Sequence, residues 1–207
     1  MARRTKAEAY ATREALLDAA EDVFFDHGVA RTSLDQIARH AGMTRGAVYW
    51  HFKNKADLFH ALLERVRMPF EELIDEVNEP ALLDSPLEAL RLACHRGLAR
   101  LEQPHIRRVH SILLHRCEFF SDINPLEMQN RLAQECHDEM YIQFHKACEQ
   151  HLLAPSLTPE TATRLLQSTL GGLFHDWLRE PERFSLSREG GALIDTLFEL
   201  MCTPSHG

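Results

Sequence analysis

The stretch Thr32 to Phe52, TSLDQIARHAGMTRGAVYWHF, carries two helix signals too short to stand alone, with a glycine between them. Ser33, followed three residues later by Gln36, is a capping box and predicts a helix from Leu34 to His40 or Ala41. Gly42 ends that helix, and Thr44 offers an N-cap for a second, Arg45 to Phe52. Helices of two turns are marginal in water and persist only by sharing a core. The apolar positions supply one. Leu34, Ile37 and Ala38 face inward from the first helix, Val48 and Phe52 from the second. Ala20 and Phe24 join them from the amphipathic run Thr12 to His27, which Gly28 terminates. Three such helices with a short glycine-containing turn between the last two predict a helix-turn-helix.

The rest of the chain reads as helix too. Alternating runs of Val, Ile and Thr are missing, so the fold class is all-α. A helix starts near Lys55, runs through Leu58, Leu62 and Val66, and meets Pro69, which should kink it. Ser85-Pro86-Leu87-Glu88 opens a helix to about Leu101, Pro104 one from His105 to Phe119, and Asn124-Pro125 a long one to about Leu152. Thr158-Pro159-Glu160 opens another to about Leu178. Pro181 breaks it, and a last helix covers Ser187 to Cys202. The expectation is about nine helices: a helix-turn-helix domain over residues 1–56 (motif about 33–52) and a larger helical domain over 57–207. Hydrophobic residues at 44% and charged residues at 26% exclude wholesale disorder. No apolar run reaches the ~18 residues of a membrane span, and no apolar segment follows the basic residues near Met1. Five scattered cysteines, an odd number, suit reduced thiols in the cytoplasm.

The net charge of −8 runs against a nucleic-acid partner, but it is unevenly spread. Residues 1–55 carry a balance of +2 and residues 56–207 one of −10. A basic-leaning head on an acidic body suits an anion at one end. The second short helix has the right chemistry for a DNA groove. Arg45 suits bidentate bonding to guanine, and Gly46 adds no bulk where a backbone must approach. Tyr49 and His51 can donate to phosphates, with Lys53 and Lys55 beside them. Thr32, Ser33 and Thr44 bring hydroxyls and helix-start amides to further phosphates. Trp50 fits either the DNA face or packing on the next helix. Arg3 and Arg4 would form an arm along the minor groove.

Residues 12–59, TREALLDAAEDVFFDHGVARTSLDQIARHAGMTRGAVYWHFKNKADLF, resemble the N-terminal domain of the TetR family of transcriptional repressors. MARRTKAEA and GMTRGAVYWHFKNKADLF are most similar to the AcrR-type regulators, which repress multidrug efflux pump genes. RRVHSILLHRCEF, residues 107–119, is similar to a segment of efflux-pump repressors. The resemblance implies a ligand-responsive repressor, not an enzyme. It implies a homodimer on a pseudo-palindromic double-stranded DNA operator, released by small hydrophobic or aromatic compounds and controlling an efflux operon. It places dimer contacts on the last two helices, where the apolar stripes include Leu166, Leu170, Leu173 and Trp177, then Leu197, Phe198 and Met201. The same stripes also suit an intramolecular core. The effector would lie against soft or polar residues on otherwise apolar faces: Phe70, His95, His110, Leu114, Cys136, Met140 and Phe174.

His145, Cys148 and His151 are spaced to share a helical face, which keeps a metal- or thiol-sensing repressor, or a His/Cys metalloenzyme, as alternatives. HExxH, P-loop, G-x-S-x-G and paired CxxC motifs do not occur, and no cofactor or resident metal is expected.

Overall fold

The computed structural model describes residues 6–75, 85–119 and 123–202, apart from the Phe70 side chain. Among the described residues there are ten α-helices and no strand. They are α1 (Lys6–His27), α2 (Leu34–His40), α3 (Arg45–His51), α4 (Lys55–Glu64), α5 (Phe70–Asp75), α6 (Pro86–Leu101), α7 (Pro104–Ser111), α8 (Pro125–Glu149), α9 (Pro159–Arg179) and α10 (Gly191–Met201). A π-helical turn, Ile112–Arg116, continues α7, and another, Leu186–Gly190, leads into α10.

The caps form as predicted at Ser33, Thr44 and Thr158, whereas the Ser85 side chain makes no cap bond at the start of α6. The Ser33 hydroxyl accepts the Gln36 amide at 3.3 Å, and the Gln36 side chain accepts the Ser33 amide at 2.7 Å. Thr44 accepts the Ala47 amide at 3.3 Å and Thr158 the Thr161 amide at 3.2 Å. Gly28 and Gly42 take the left-handed conformation, with φ of +81° and +64°, that ends a helix cheaply only without a Cβ.

Four spans differ from the sequence expectation. The helix predicted from Lys55 past Pro69 is two, because proline fits a helix start but not its interior. Pro69 stands just before α5, and its carbonyl accepts the Leu73 amide at 3.2 Å. The helix predicted over 105–119 leaves α geometry after Ser111 and ends at Arg116. α1 begins at Lys6, well before Thr12. α8 stops at Glu149, and His151 turns left-handed at φ +57°.

The contacts group the chain into two compact units: Met1–Arg67 with His105–Gln129, and Met68–Pro104 with Asn130–Gly207. In the first, Ala20, Phe24, Leu34, Ile37, Ala38, Val48 and Phe52 are all buried, as their periodicity predicts. Leu58, Phe59 and Leu62 of α4 close this core, with the Phe24 and Phe59 rings edge to face at 5.7 Å. The π-turn after α7 packs on α1. In the second unit Leu90, Leu98, Phe144, Leu166, Ile194 and Phe198 form the core, and the Phe144 and Phe198 rings stack at 6.2 Å.

Candidate nucleic-acid interface

α3 buries only Val48 among its own residues. Ala47 and His51 are half-buried, with His51 Nε2 itself out of solvent, and the other four residues are exposed. Arg45 is 68% exposed, Tyr49 47% and Trp50 69%. Trp50 is therefore not packed on the following helix; its ring meets the His51 ring edge to face at 4.5 Å. Free energy is lost by leaving a Trp this exposed in water, so the surface reads as one awaiting a partner. A Cβ built on Gly46 would find nothing nearer than the Thr44 hydroxyl at 4.0 Å, so packing within the fold does not require glycine there. Ser33 and Thr44 flank the motif with hydroxyls already engaged as caps. Lys53 is exposed, its amide donating to Asp57 at 2.9 Å.

The structure revises two of the expected contacts. Thr32 is 4% exposed, and its hydroxyl donates inward to the Gly28 carbonyl at 2.8 Å. The Lys55 ammonium donates to the carbonyls of Val29, Ala30 and Thr32 at 2.7, 3.0 and 2.9 Å. Burial holds its pKa below the usual lysine range. Lys55 thus serves as a tertiary cap on the α1–α2 turn rather than as a free phosphate contact. Arg3 and Arg4 lie outside the described residues.

Features without a local sequence signal surround the same face. The Asp35 carboxylate of α2 pairs with Arg45 Nε at 3.2 Å, and the Arg45 guanidinium lies 5.3 Å from the Tyr49 ring centre. Tyr49 and Asp35 both favour the charged guanidinium and raise its pKa. Beyond α3, a groove of about 590 Å³ runs between the first turns of α1 and Trp50, lined by Lys6, Tyr10, Arg13 and His51 among others. Tyr10 is 66% exposed.

The expected effector residues divide between the units. His110 and Leu114 belong to the first. His110 is held by its Nδ1 against the Ile106 carbonyl at 2.9 Å, and burial pushes its pKa down. His95, Cys136, Met140 and Phe174 belong to the second unit, together with the backbone of Phe70. His95 is bonded to Asp195 at 2.7 Å, Met140 is 2% exposed, and Cys136 and Phe174 are half-buried. Among the described residues no three His, Cys, Asp or Glu side chains come together as metal ligands. His151 leaves the helix, so the shared face predicted for His145, Cys148 and His151 is lost.

Four of the seven expected dimer residues are core instead. Leu166 is fully buried, Trp177 and Phe198 are 2% exposed and Met201 1%. Leu170, Leu173 and Leu197 are half-buried. The large apolar residues that α9 and α10 leave in solvent are Leu165, Leu193 and Leu200, at 42%, 53% and 74%.

The chain matches the family of bacterial regulatory proteins, tetR family, over residues 16–62, and the C-terminal region of MAATS-type transcriptional repressors over residues 85–203. It is similar to the HTH-type transcriptional repressor BepR of Brucella suis biovar 1 (strain 1330), 35% identical over 99% of this chain and 98% of that protein. Among solved structures it is similar to NalD, the secondary repressor of the MexAB-OprM multidrug efflux pump in Pseudomonas aeruginosa. That match has 38% identity, covers 96% of this chain and 100% of the other, and has a TM-score of 0.83. A complex of SmeT with triclosan is 36% identical over 94% of this chain and 93% of that one, with a TM-score of 0.81. SmeT is the repressor of the Stenotrophomonas maltophilia multidrug efflux pump SmeDEF.

Proposed function

Because the chain belongs to the TetR family of bacterial regulatory proteins, we propose that it is a ligand-responsive repressor of a multidrug efflux operon. It binds a pseudo-palindromic operator as a homodimer and leaves it when a small hydrophobic compound binds. The observation that carries this reading is the open face of α3. Arg45, Tyr49 and Trp50 stand in solvent on a helix whose other side is locked into a three-helix core. The named roles of NalD and SmeT, similar along nearly the whole chain, support the choice of operon.

In this reading Arg45 meets a base edge, with Gly46 letting the backbone approach. Ser33, Thr44, Tyr49, Trp50, His51 and Lys53 hold the phosphates and sugars on either side, and Arg3 and Arg4 reach the minor groove. Contacts to phosphate set register and salt dependence; the base contact sets sequence. The dimer forms through the exposed Leu165, Leu193 and Leu200, with the half-buried Leu170, Leu173 and Leu197 beside them. Cys136, Met140 and Phe174 are the proposed effector contacts of the second unit. The SmeT–triclosan complex supports a hydrophobic aromatic effector.

Release requires the effector to bind the DNA-incompetent conformer more tightly than the competent one. The first turn of α4 is the point where such a change reaches the reader. Lys55 joins it to three carbonyls of the α1–α2 turn, so displacement of α4 carries that turn with it.

The test is selection of operators from random duplexes by the purified protein at fixed salt, repeated with triclosan and other hydrophobic antimicrobials. A palindromic site released by such compounds is expected. A palindrome that none of them releases refutes the effector class, and no enriched site refutes DNA recognition itself.

A further inference from the structure

The Arg45 side chain is not a free arm. Its Nε is ion-paired with the Asp35 carboxylate at 3.2 Å, and its guanidinium carbon lies 5.3 Å from the centre of the Tyr49 ring. The Asp35 oxygen that makes this pair is buried and accepts no hydrogen bond among the described residues, so the guanidinium is the partner it has. Arginine presents five donors in a rigid fork. The carboxylate beside Nε and the ring beside the guanidinium narrow the positions the fork can take, and so favour one direction for its two terminal donors. That pair of parallel donors matches the two acceptors, O6 and N7, on the major-groove edge of guanine.

Asp35 is also in the wrong place for simple electrostatics. A carboxylate on a surface meant for phosphates repels the polyanion and lowers sequence-independent affinity. Its position in the first turn of α2 gives it a bland role, support of that helix's dipole. Any acid in that turn supplies the same support, whereas the reach to Arg45 Nε depends on side-chain length.

We propose that Asp35 is a specificity-determining residue: it fixes the Arg45 guanidinium so that one guanine is read, at the expense of affinity for DNA in general. This rests on the DNA-binding reading above. Asp35 acts through Arg45 and is a positioning residue, not a base contact.

Three variants separate this from a structural role. Operator selection and affinities for the selected operator and for an unrelated duplex of equal length are measured for the wild type, Asp35→Asn, Asp35→Glu and Arg45→Ala at one salt concentration. Arg45→Ala identifies the symmetry-related base pairs that Arg45 reads. Asp35→Asn and Asp35→Glu are expected to flatten the preference at those same pairs by about tenfold, the scale of one bidentate contact. The other positions stay unchanged. Asp35→Asn, which removes a negative charge from each subunit, binds the unrelated duplex more tightly than the wild type. Asp35→Glu keeps the helix-start charge and the melting temperature while still losing the preference. Overturning results are an Asp35→Asn or Asp35→Glu preference equal to wild type at the Arg45 pairs, or losses spread evenly over all positions. Absence of any enriched site for the wild type instead overturns the DNA-binding reading.

Discussion

The Lys55 ammonium lies 2.9 Å from the carbonyl of Thr32, and the turn that this bond closes begins at Gly28. A lysine just beyond the exposed face of α3 looks like a phosphate contact until its donors are counted. All three point at backbone carbonyls. Lys55→Met is therefore expected to cost about 2 kcal/mol of stability, since it strands partly buried acceptors. The salt dependence of operator binding should be unchanged. Lys53→Ala is expected to do the reverse, lowering the slope of log affinity against log salt by about 2, one phosphate contact in each subunit of the dimer, while leaving thermal stability near wild type. Melting curves and binding titrations at three salt concentrations compare the two.

The exposed leucines of α9 and α10 and the buried ones beside them should respond in opposite ways. Leu193→Asp and Leu200→Asp are expected to yield a folded monomer with wild-type helicity, because neither side chain fills the core. Leu166→Ala is expected to cost about 2–5 kcal/mol, the usual cavity penalty, and to leave association intact in the fraction that folds. Sedimentation velocity with circular dichroism separates the outcomes. A stable dimer in both Asp variants would move the interface elsewhere.

His110 links stability to acid. Burial holds its pKa below the ordinary 6.5, so the folded chain resists protonation where the unfolded chain accepts it. Between those two values the unfolded state binds more protons, and stability rises with pH. Above about 6.5 the contribution is complete. As pH falls below it, stability is lost at up to about 1.4 kcal/mol per pH unit. His110→Gln should flatten the dependence of melting temperature on pH between 5 and 6.5 and leave the curve above 7 parallel to wild type. An unchanged acid slope in the variant would remove His110 as its source.

Gly191 sits where α10 passes the His95 ring, and a Cβ there would lie 2.9 Å from two ring atoms. The ring cannot swing away freely because Nε2 is bonded to Asp195. Gly191→Ala is expected to destabilise by about 1–3 kcal/mol despite its gain in helix propensity. Adding His95→Ala should recover much of the loss. Additive losses in the double variant would show that the two sites do not share the clash.

What the sequence could reveal followed the range of the interaction. The caps at Ser33, Thr44 and Thr158 and the glycine stops at 28 and 42 are local chemistry, readable from neighbours three residues apart. The three-helix core was equally legible, since periodicity names the inward face of each short helix. Periodicity cannot say what covers that face. Leu165 and Leu166 are adjacent leucines on one helix, yet one is in solvent and the other in the core. Asp35 and Arg45 are ten positions apart with a turn between, and no spacing rule joins them. Lys55 and Val29 are further apart still. A hydroxyl at a helix start suits a phosphate, but that of Thr32 is captured by the Gly28 carbonyl four residues back.

The Val29 amide donates to the carbonyl of Arg116 at 3.0 Å, and Arg108 pairs with Asp22 at 2.9 Å while covering the Phe25 ring. The reading head is thus woven from two stretches of chain that are distant in order. Its modularity ends there. A chimera that transplants only the first fifty-odd residues onto a different body leaves Val29, Asp22 and Phe25 facing a foreign surface. The piece that can be exchanged between regulators is discontinuous, and it must carry α7 and its π-turn along with α1, α2 and α3.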